Sequence, residues 1–355
     1  MFVIKWIAIG LSLFYFVSGS LAGSLWPDEK IDRYIQRKLR RNPSVLRINE
    51  KPLGDTGAAF LAGSPRLKTV AILVIYNSRI GDEGVRSLAD SSYLKKLKEL
   101  YLEGNGITDR GAAYLASSKN FPALEKLSLH HNRIGDDGAA AIADSEILRK
   151  LKTLNLNFNE VGDSGAVLLA KNGSSSTLER LHLSYNFLEK TGKNALFRFN
   201  LKQKFKIMRL RGKLNDLSKV YIGDVGLNIL LGTGYLSEVT QLNLSRNDLG
   251  DSSAEALANS DQLISLESLD LSNNLIGDRG AVALAKAPFL KNLKELNLNF
   301  NRIENEGAIA FARNTNSARL EALLLGQNKI GSIGSRELID SKNLKQLVYP
   351  IFGFY

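Results

Sequence analysis

LKELYLEGNGITDRGAAYLA (97–116), LEKLSLHHNRIGDDGAAAIA (124–143), LKTLNLNFNEVGDSGAVLLA (151–170), LESLDLSNNLIGDRGAVALA (266–285) and LKELNLNFNRIENEGAIAFA (293–312) are five versions of one pattern. The pattern is L-x-x-L-x-L-x-x-N-x-I-G-D-x-G-A-x-x-L-A. Its Asn position falls at 51, 78, 105, 132, 159 and 186, then at 220, 247, 274, 301 and 328. Each step is 27 residues except the one from 186 to 220, which is 34. A fixed period of this length marks stacked supersecondary units, none of which can bury its own core alone.

Within a unit the leucines of L-x-L alternate with variable residues, as in a short strand with one buried face. The Asn can bond neighbouring backbone where the chain leaves that strand. Gly-Asp then opens a helix, and Asp136, Asp163 and Asp278 read as N-caps of the helices they begin. Ala139, Ile142 and Ala143 follow at helical spacing, a narrow stripe of mostly small residues that lets the helix sit close to the sheet.

This motif resembles the leucine-rich repeat, and the 27-residue period with its I-G-D-x-G-A-x-x-L-A half is similar to the ribonuclease-inhibitor-like subclass. The resemblance covers residues 45–349. It implies an α/β solenoid of about eleven repeats, a horseshoe with a parallel β-sheet on the concave face and helices on the convex face. Departures from the pattern are Lys51, Ser78 and Val220 for Asn, Lys190, Asn305 and Ser332 for Asp, and Ser253 for the Gly that follows.

Outside the array, residues 1–22 (MFVIKWIAIGLSLFYFVSGSLA) carry one cation, Lys5, before an apolar run and a small-residue end. That is the layout of a signal peptide cut after Ala22, with an uncleaved anchor as the alternative. Both place the chain in the envelope or outside the cell. Residues 23–44 hold Ile31, Tyr34, Ile35 and Leu39 at helical spacing, a cap helix for the first repeat that ends before Pro43. The last residues, QLVYPIFGFY, read as a final strand with an aromatic tail at 350–355.

The chain has 355 residues, no Cys, three His and a formal charge of +11. Without Cys there is no disulfide framework, thiolate nucleophile or cysteine-based metal site. The charge is pooled. Residues 189–219, at the break in register, hold ten cations and two acids, and residues 28–51 hold eight and four. With those segments and Lys5 set aside, the remainder carries a net of −2. In the first segment Arg198, Lys202, Lys204, Lys206, Arg209 and Arg211 interleave with Phe197, Phe199, Phe205 and Met208. This composition suits an acidic protein or an anionic membrane, and nucleic acid less well. The plainer alternative is a lengthened outer helix whose aromatics pack inward.

Strand register predicts the solvent-facing positions. Tyr76, Tyr101, Glu103, His130, Asn155, Arg180 and His182 lie on the strand face, and His131, Phe158, Tyr185, Arg246 and Phe300 at its rim. A face about 50 Å long, built from strands about 4.8 Å apart, fits a protein or long peptide better than a small molecule. Aromatic residues concentrate in its first half, where the binding hot spot is expected. No nucleophile, P-loop or metal-ligand motif appears, so neither an enzyme nor a cofactor is expected. The expected function is an exported protein-recognition module. The alternatives are a structural envelope protein or, by resemblance to ribonuclease inhibitor and the Ran GTPase-activating protein, a regulator of an enzyme.

Overall fold

The computed structural model describes residues 25–317, 319–348 and 351–352; the expected signal segment at 1–22 lies outside them. Each repeat gives a strand that buries its leucines and a helix that packs its alanines behind it. Helix α1 (Asp28–Arg41) leads into β1 (Val45–Asn49), α2 (Gly54–Ala62), β2 (Ile72–Tyr76), α3 (Asp82–Ala89), β3 (Glu99–Tyr101) and α4 (Asp109–Ser117). The chain continues through β4 (Lys126–Ser128), α5 (Asp136–Ala143), α6 (Glu146–Lys150), β5 (Thr153–Asn155), α7 (Asp163–Ser174), β6 (Arg180–His182) and α8 (Lys190–Leu210). Then come α9 (Gly223–Leu231), β7 (Gln241–Asn243), α10 (Asp251–Ala258), β8 (Ser268–Asp270), α11 (Asp278–Ala285), β9 (Glu295–Asn297), α12 (Asn305–Arg313), β10 (Ala322–Leu324) and α13 (Ser332–Ile339).

These elements form two compact units, the first ending at Leu196 and the second beginning at Phe197. The first holds a parallel six-stranded sheet in the order β1 to β6, the second a parallel four-stranded sheet, β7 to β10. Register follows the repeat: Leu100, Leu127, Leu154 and Leu181 pair in succession, each step 27 residues. Their side chains are almost fully buried, as are Ala139, Ile142 and Ala143 of the helix layer. Each unit is therefore an α/β solenoid with strands on one side and helices on the other. Ahead of the first sheet, α1 buries Ile31 and Ile35, and Tyr34 meets Trp26 edge-on at 5.3 Å.

Among the described residues, two places where the repeat calls for a strand have none. The repeat at the break keeps a single bridge, Asp216 to Asn243, because the extra residues are taken up by the long α8. At the C-terminal end, Val348 N–H donates to Glu321 O and Leu325 N–H to Ile351 O, both at 2.8 Å, without a strand among the described residues.

The motif's polar residues bond between repeats, and the helix-starting Asp does so in an unexpected direction. Asp136 does not cap α5, whose N-cap is Gly135. Its Oδ1 accepts the N–H of Gly162 at 2.7 Å and of Gly165 at 2.9 Å, at the start of the next helix, α7. Asp109, Asp251 and Asp278 do the same for their successors. The reading of these residues as caps of their own helices is thus corrected: each carboxylate caps the helix that follows. Their Gly partners leave room for it, since a Cβ on Gly165 would lie 2.7 Å from Asp136 Oδ1. Asn305 serves as a neutral substitute toward Gly331 and Gly334.

The Asn ladder runs the opposite way. Asn159 Nδ2 donates to Leu129 O of the preceding repeat and to Leu156 O of its own, while its Oδ1 accepts Ile134 N–H. Buried backbone groups at the strand ends are satisfied in this manner along both sheets.

Candidate recognition surface

The solvent-facing positions of β3 to β6 are linked by hydrogen bonds. Tyr101 OH donates to Glu99 Oε2 at 2.5 Å, and Lys126 Nζ stands 4.9 Å from the Tyr101 ring centre. Burial, together with the bond to the Glu99 carboxylate, raises the Tyr101 pKa above its ordinary value. Glu103 Oε1 accepts the buried Ser128 hydroxyl at 2.6 Å. Asn155 Oδ1 accepts Asn157 N–H, and Asn157 Oδ1 in turn accepts Ser184 N–H at 2.7 Å. Arg180 Nε donates to Thr153 Oγ1 at 3.3 Å. Tyr76 stands apart, its ring beside Gly104, where a Cβ would come within 3.3 Å.

His130 and His182 are held toward the neutral form. Desolvation lowers the pKa of His130, and desolvation with Arg180 and Lys126 nearby lowers that of His182. The Nδ1 of His130 is buried without a hydrogen-bond partner. Among the described residues no three His, Asp or Glu side chains gather as a metal site.

A more distinctive feature lies at the rim, one residue before each Asn. There Glu50, Asn77, Gly104, His131, Phe158 and Tyr185 in the first unit all have φ between 46° and 64°. In the second unit Arg246, Asn273, Phe300 and Gln327 share this conformation. The backbone ladder imposes it: His131 N–H donates to Asn157 O and Phe158 N–H to Ser184 O, both at 2.9 Å, after the strands proper have ended. The left-handed region costs roughly 1–2 kcal/mol for a residue with an ordinary side chain, and least for Gly and Asn. Gly104, Asn77 and Asn273 occupy it cheaply; Phe158, Tyr185 and His131 do not.

Those three costly residues form one cluster. Phe158 and Tyr185 stack with centres 4.1 Å apart and planes at 16°. His130 meets Phe158 edge-on at 5.1 Å, and His131 lies 6.1 Å from it. The stack is open to solvent, with Phe158 40% and Tyr185 73% exposed. Phe187, one residue beyond Asn186, adds a further exposed ring that the strand pattern did not single out. Its position after the Asn was the available signal, because Arg79, Tyr221 and Asp248 occupy that place with positive φ in other repeats.

The model of the family described as "Leucine Rich repeat" matches residues 93–116, 122–143, 148–170, 238–258, 262–285 and 289–312. Those six segments are leucine-rich repeats. The repeats left unmatched include those carrying Lys51, Ser78, Lys190, Val220 and Ser332 in place of the Asn or Asp. Among solved structures, internalin C2 from Listeria monocytogenes is 19% identical over 78% of this chain and 80% of its own, with a TM-score of 0.26. The internalin inlF of the same organism is 18% identical, covering 96% of this chain and 93% of its own, with a TM-score of 0.26. The actin-binding site 2 of leiomodin-1 is 15% identical, covering 51% of this chain and 93% of its own, with a TM-score of 0.33. No curated protein matches the sequence. Leucine-rich repeats are a protein-interaction architecture, and here the first unit presents the aromatic part of its surface.

The basic segment takes a different form from the strand face. Arg198, Lys202, Lys204, Arg209 and Arg211 are exposed and Lys206 half-buried along or just past α8. Two of the interleaved aromatics, Phe199 and Phe205, are almost fully buried, and Met208 packs on the core of the second unit. Among the described residues no helix is long and apolar enough to cross a membrane.

Proposed function

We propose that the chain is a non-enzymatic recognition module whose first unit binds a protein or extended peptide through the His131–Phe158–Tyr185 rim and the adjoining face of β3 to β6. The observation that carries this reading is the placement of large aromatic rings on a backbone conformation that Gly or Asn would hold at lower cost. Residues kept in a costly conformation, exposed and stacked, point to selection for contact rather than for folding. The mixed polar face beside them, with Glu103, His130, Asn155, Arg180 and His182, supplies directional bonds around an aromatic centre.

The test separates binding from folding. Peptides selected from a displayed library against the immobilised chain are rebound to Phe158→Asn plus Tyr185→Asn and, separately, to Phe300→Asn. The double variant is expected to lose at least about tenfold in affinity, with Phe300→Asn close to the parent. Thermal stability should hold or rise, because Asn relieves the left-handed strain that offsets the lost stacking. Ligands indifferent to the double variant would remove the rim from the reading, and a fall of more than about 2 kcal/mol in stability would make the rings structural.

The 27-residue period supports assignment to the ribonuclease-inhibitor-like subclass. The layout of residues 1–22 supports export to the envelope or beyond. Mass spectrometry of the natural protein is expected to find Gly23 as its first residue, and an intact Met1 terminus would leave the uncleaved anchor.

A further inference from the structure

Some cations elsewhere in the chain face acids, as in Arg110–Glu83 at 2.6 Å, Lys152–Glu125 at 2.9 Å and Lys294–Glu267 at 2.9 Å. From Phe197 to Arg211 the sequence holds six cations and no acid. Among the described residues, Arg198, Lys202, Lys204, Lys206 and Arg211 make neither an ion pair nor a side-chain hydrogen bond. Arg209 alone has a partner, the Tyr235 ring, 4.8 Å away.

Helical geometry sorts these residues. Leu201 and Phe205 pack into the core of the second unit, with Met208 against it. Away from that flank, Phe197, Asn200, Lys204, Ile207 and Arg211 fall at spacings of three and four, so they share one strip, and all five are exposed. Leu210, at 80% exposure, ends the helix. Arg198, Lys202, Lys206 and Arg209 form a second strip. An α-helix with its side chains is about 10–12 Å across, close to the Debye length of about 10 Å at 0.1 M salt. Both strips can therefore feel one charged plane laid against the first.

We propose that this part of α8 docks on an anionic phospholipid surface, with Phe197, Ile207 and Leu210 entering the headgroup boundary and the cations facing lipid phosphates. Each element of the pattern fits that occupant. Exposed apolar side chains gain by partial insertion, and flexible Lys and Arg need a field of negative charge rather than fixed acceptor positions. A nucleic acid would need aromatic platforms for its bases, and burial of Phe199 and Phe205 leaves only Phe197. A folded acidic partner would be fixed in register by several directional groups, of which the strip offers only Asn200 and, at its end, the Arg211 guanidinium. The proposal goes beyond rim recognition and uses none of its residues.

The absence of natural cysteine makes the test site-specific. In the full chain, Asn200→Cys carries an environment-sensitive fluorophore that reports on α8 and not on the N-terminal apolar segment. The same label at Asn228, exposed on α9, serves as reference. Vesicles containing phosphatidylglycerol are expected to shift the Asn200 label to the blue and leave the Asn228 label unmoved. Phosphatidylcholine vesicles should give no shift, and about 1 M salt, where the Debye length falls to about 3 Å, should abolish it. Lys204→Glu with Arg211→Glu, checked for folding by circular dichroism, should weaken the response at least about tenfold. The proposal is overturned by no shift on anionic vesicles, by an equal shift on neutral ones, or by an unchanged response in the charge-reversed variant. A response to soluble polyglutamate without one to vesicles would overturn it too, in favour of an acidic protein.

Discussion

Asn159→Ala is expected to destabilise the first unit by about 3 kcal/mol. One side chain here bonds four backbone groups: the carbonyls of Leu129, Leu156 and Asn157, and the N–H of Ile134. Asn159 is buried, so water cannot replace the lost partners: the Ile134 N–H is orphaned at a cost of roughly 1–3 kcal/mol, while Leu129 O and Leu156 O each keep one donor, Asn132 and Asn186. Deleting one hydrogen-bonding partner is more damaging than the net worth of the bonds, because the desolvation penalty of the group left behind remains. Chemical denaturation monitored by circular dichroism measures the loss, and a change below about 1 kcal/mol would show that the backbone relaxes to pair these groups elsewhere. Asn159→Ser should recover little. Ser78 takes the same place in the second repeat and bonds Ile48 O and Tyr76 O, but the N–H of Ser78 itself relies on Asn105. A hydroxyl has one proton and a shorter reach, so it cannot serve donor and acceptor sides across two repeats.

The strand and helix layers were legible in the sequence because a 27-residue period forces equivalent residues into equivalent places. Leu100, Leu127 and Leu154 can be assigned to one buried row before any coordinates are known. The direction of the Asp contacts was not legible. A helix-starting Asp suits a cap of its own helix equally well on local grounds, and only the stacking distance decides that Asp136 reaches Gly162 instead. The rim was partly legible. Gly104, Asn77 and Asn273 at one position of the repeat are the residues that tolerate positive φ, and that signal transfers to Phe158 and Tyr185 by period alone. Stacking of those rings depends on side-chain geometry, which the sequence does not carry. The α8 segment was least legible, since it lies where the repeat loses its period. Its spacing cannot say which aromatics face inward: Phe199 and Phe205 do, and Phe197 does not.

Gly138→Ala is expected to cost about 3 kcal/mol, and Gly138→Ser less, although serine is larger. A Cβ at this position would lie 2.6 Å from Asp109 Oδ1, 2.8 Å from Ile134 Cγ2 and 2.9 Å from the Asp109 Cα. The last of these is backbone and yields little, so overpacking of roughly 1–3 kcal/mol is unavoidable. Moving the carboxylate aside also strips its bonds from the N–H of Gly135 at 2.6 Å and of Gly138 at 2.9 Å, at the start of α5. Loss of a helix cap adds about 1 kcal/mol. The molecule itself shows how serine changes this outcome. In the repeat of α10, Ser253 stands where the others have Gly, and its hydroxyl donates to Asp224 while Ser252 Oγ donates to the same carboxylate. Asp224 keeps its bond to Gly250 N–H at 3.0 Å, and hydrogen bonding at this carboxylate, which includes both hydroxyls, holds its pKa below the ordinary value against the opposing effect of burial. A hydroxyl therefore replaces an N–H as donor to the displaced carboxylate, and a charge-assisted bond of roughly 1.5–3 kcal/mol offsets part of the crowding. Alanine brings the same Cβ with no donor. Denaturation of the two variants side by side decides the matter: Gly138→Ser less stable than Gly138→Ala would mean that steric fit alone, and not donation to the preceding repeat's carboxylate, keeps glycine in this position of the motif.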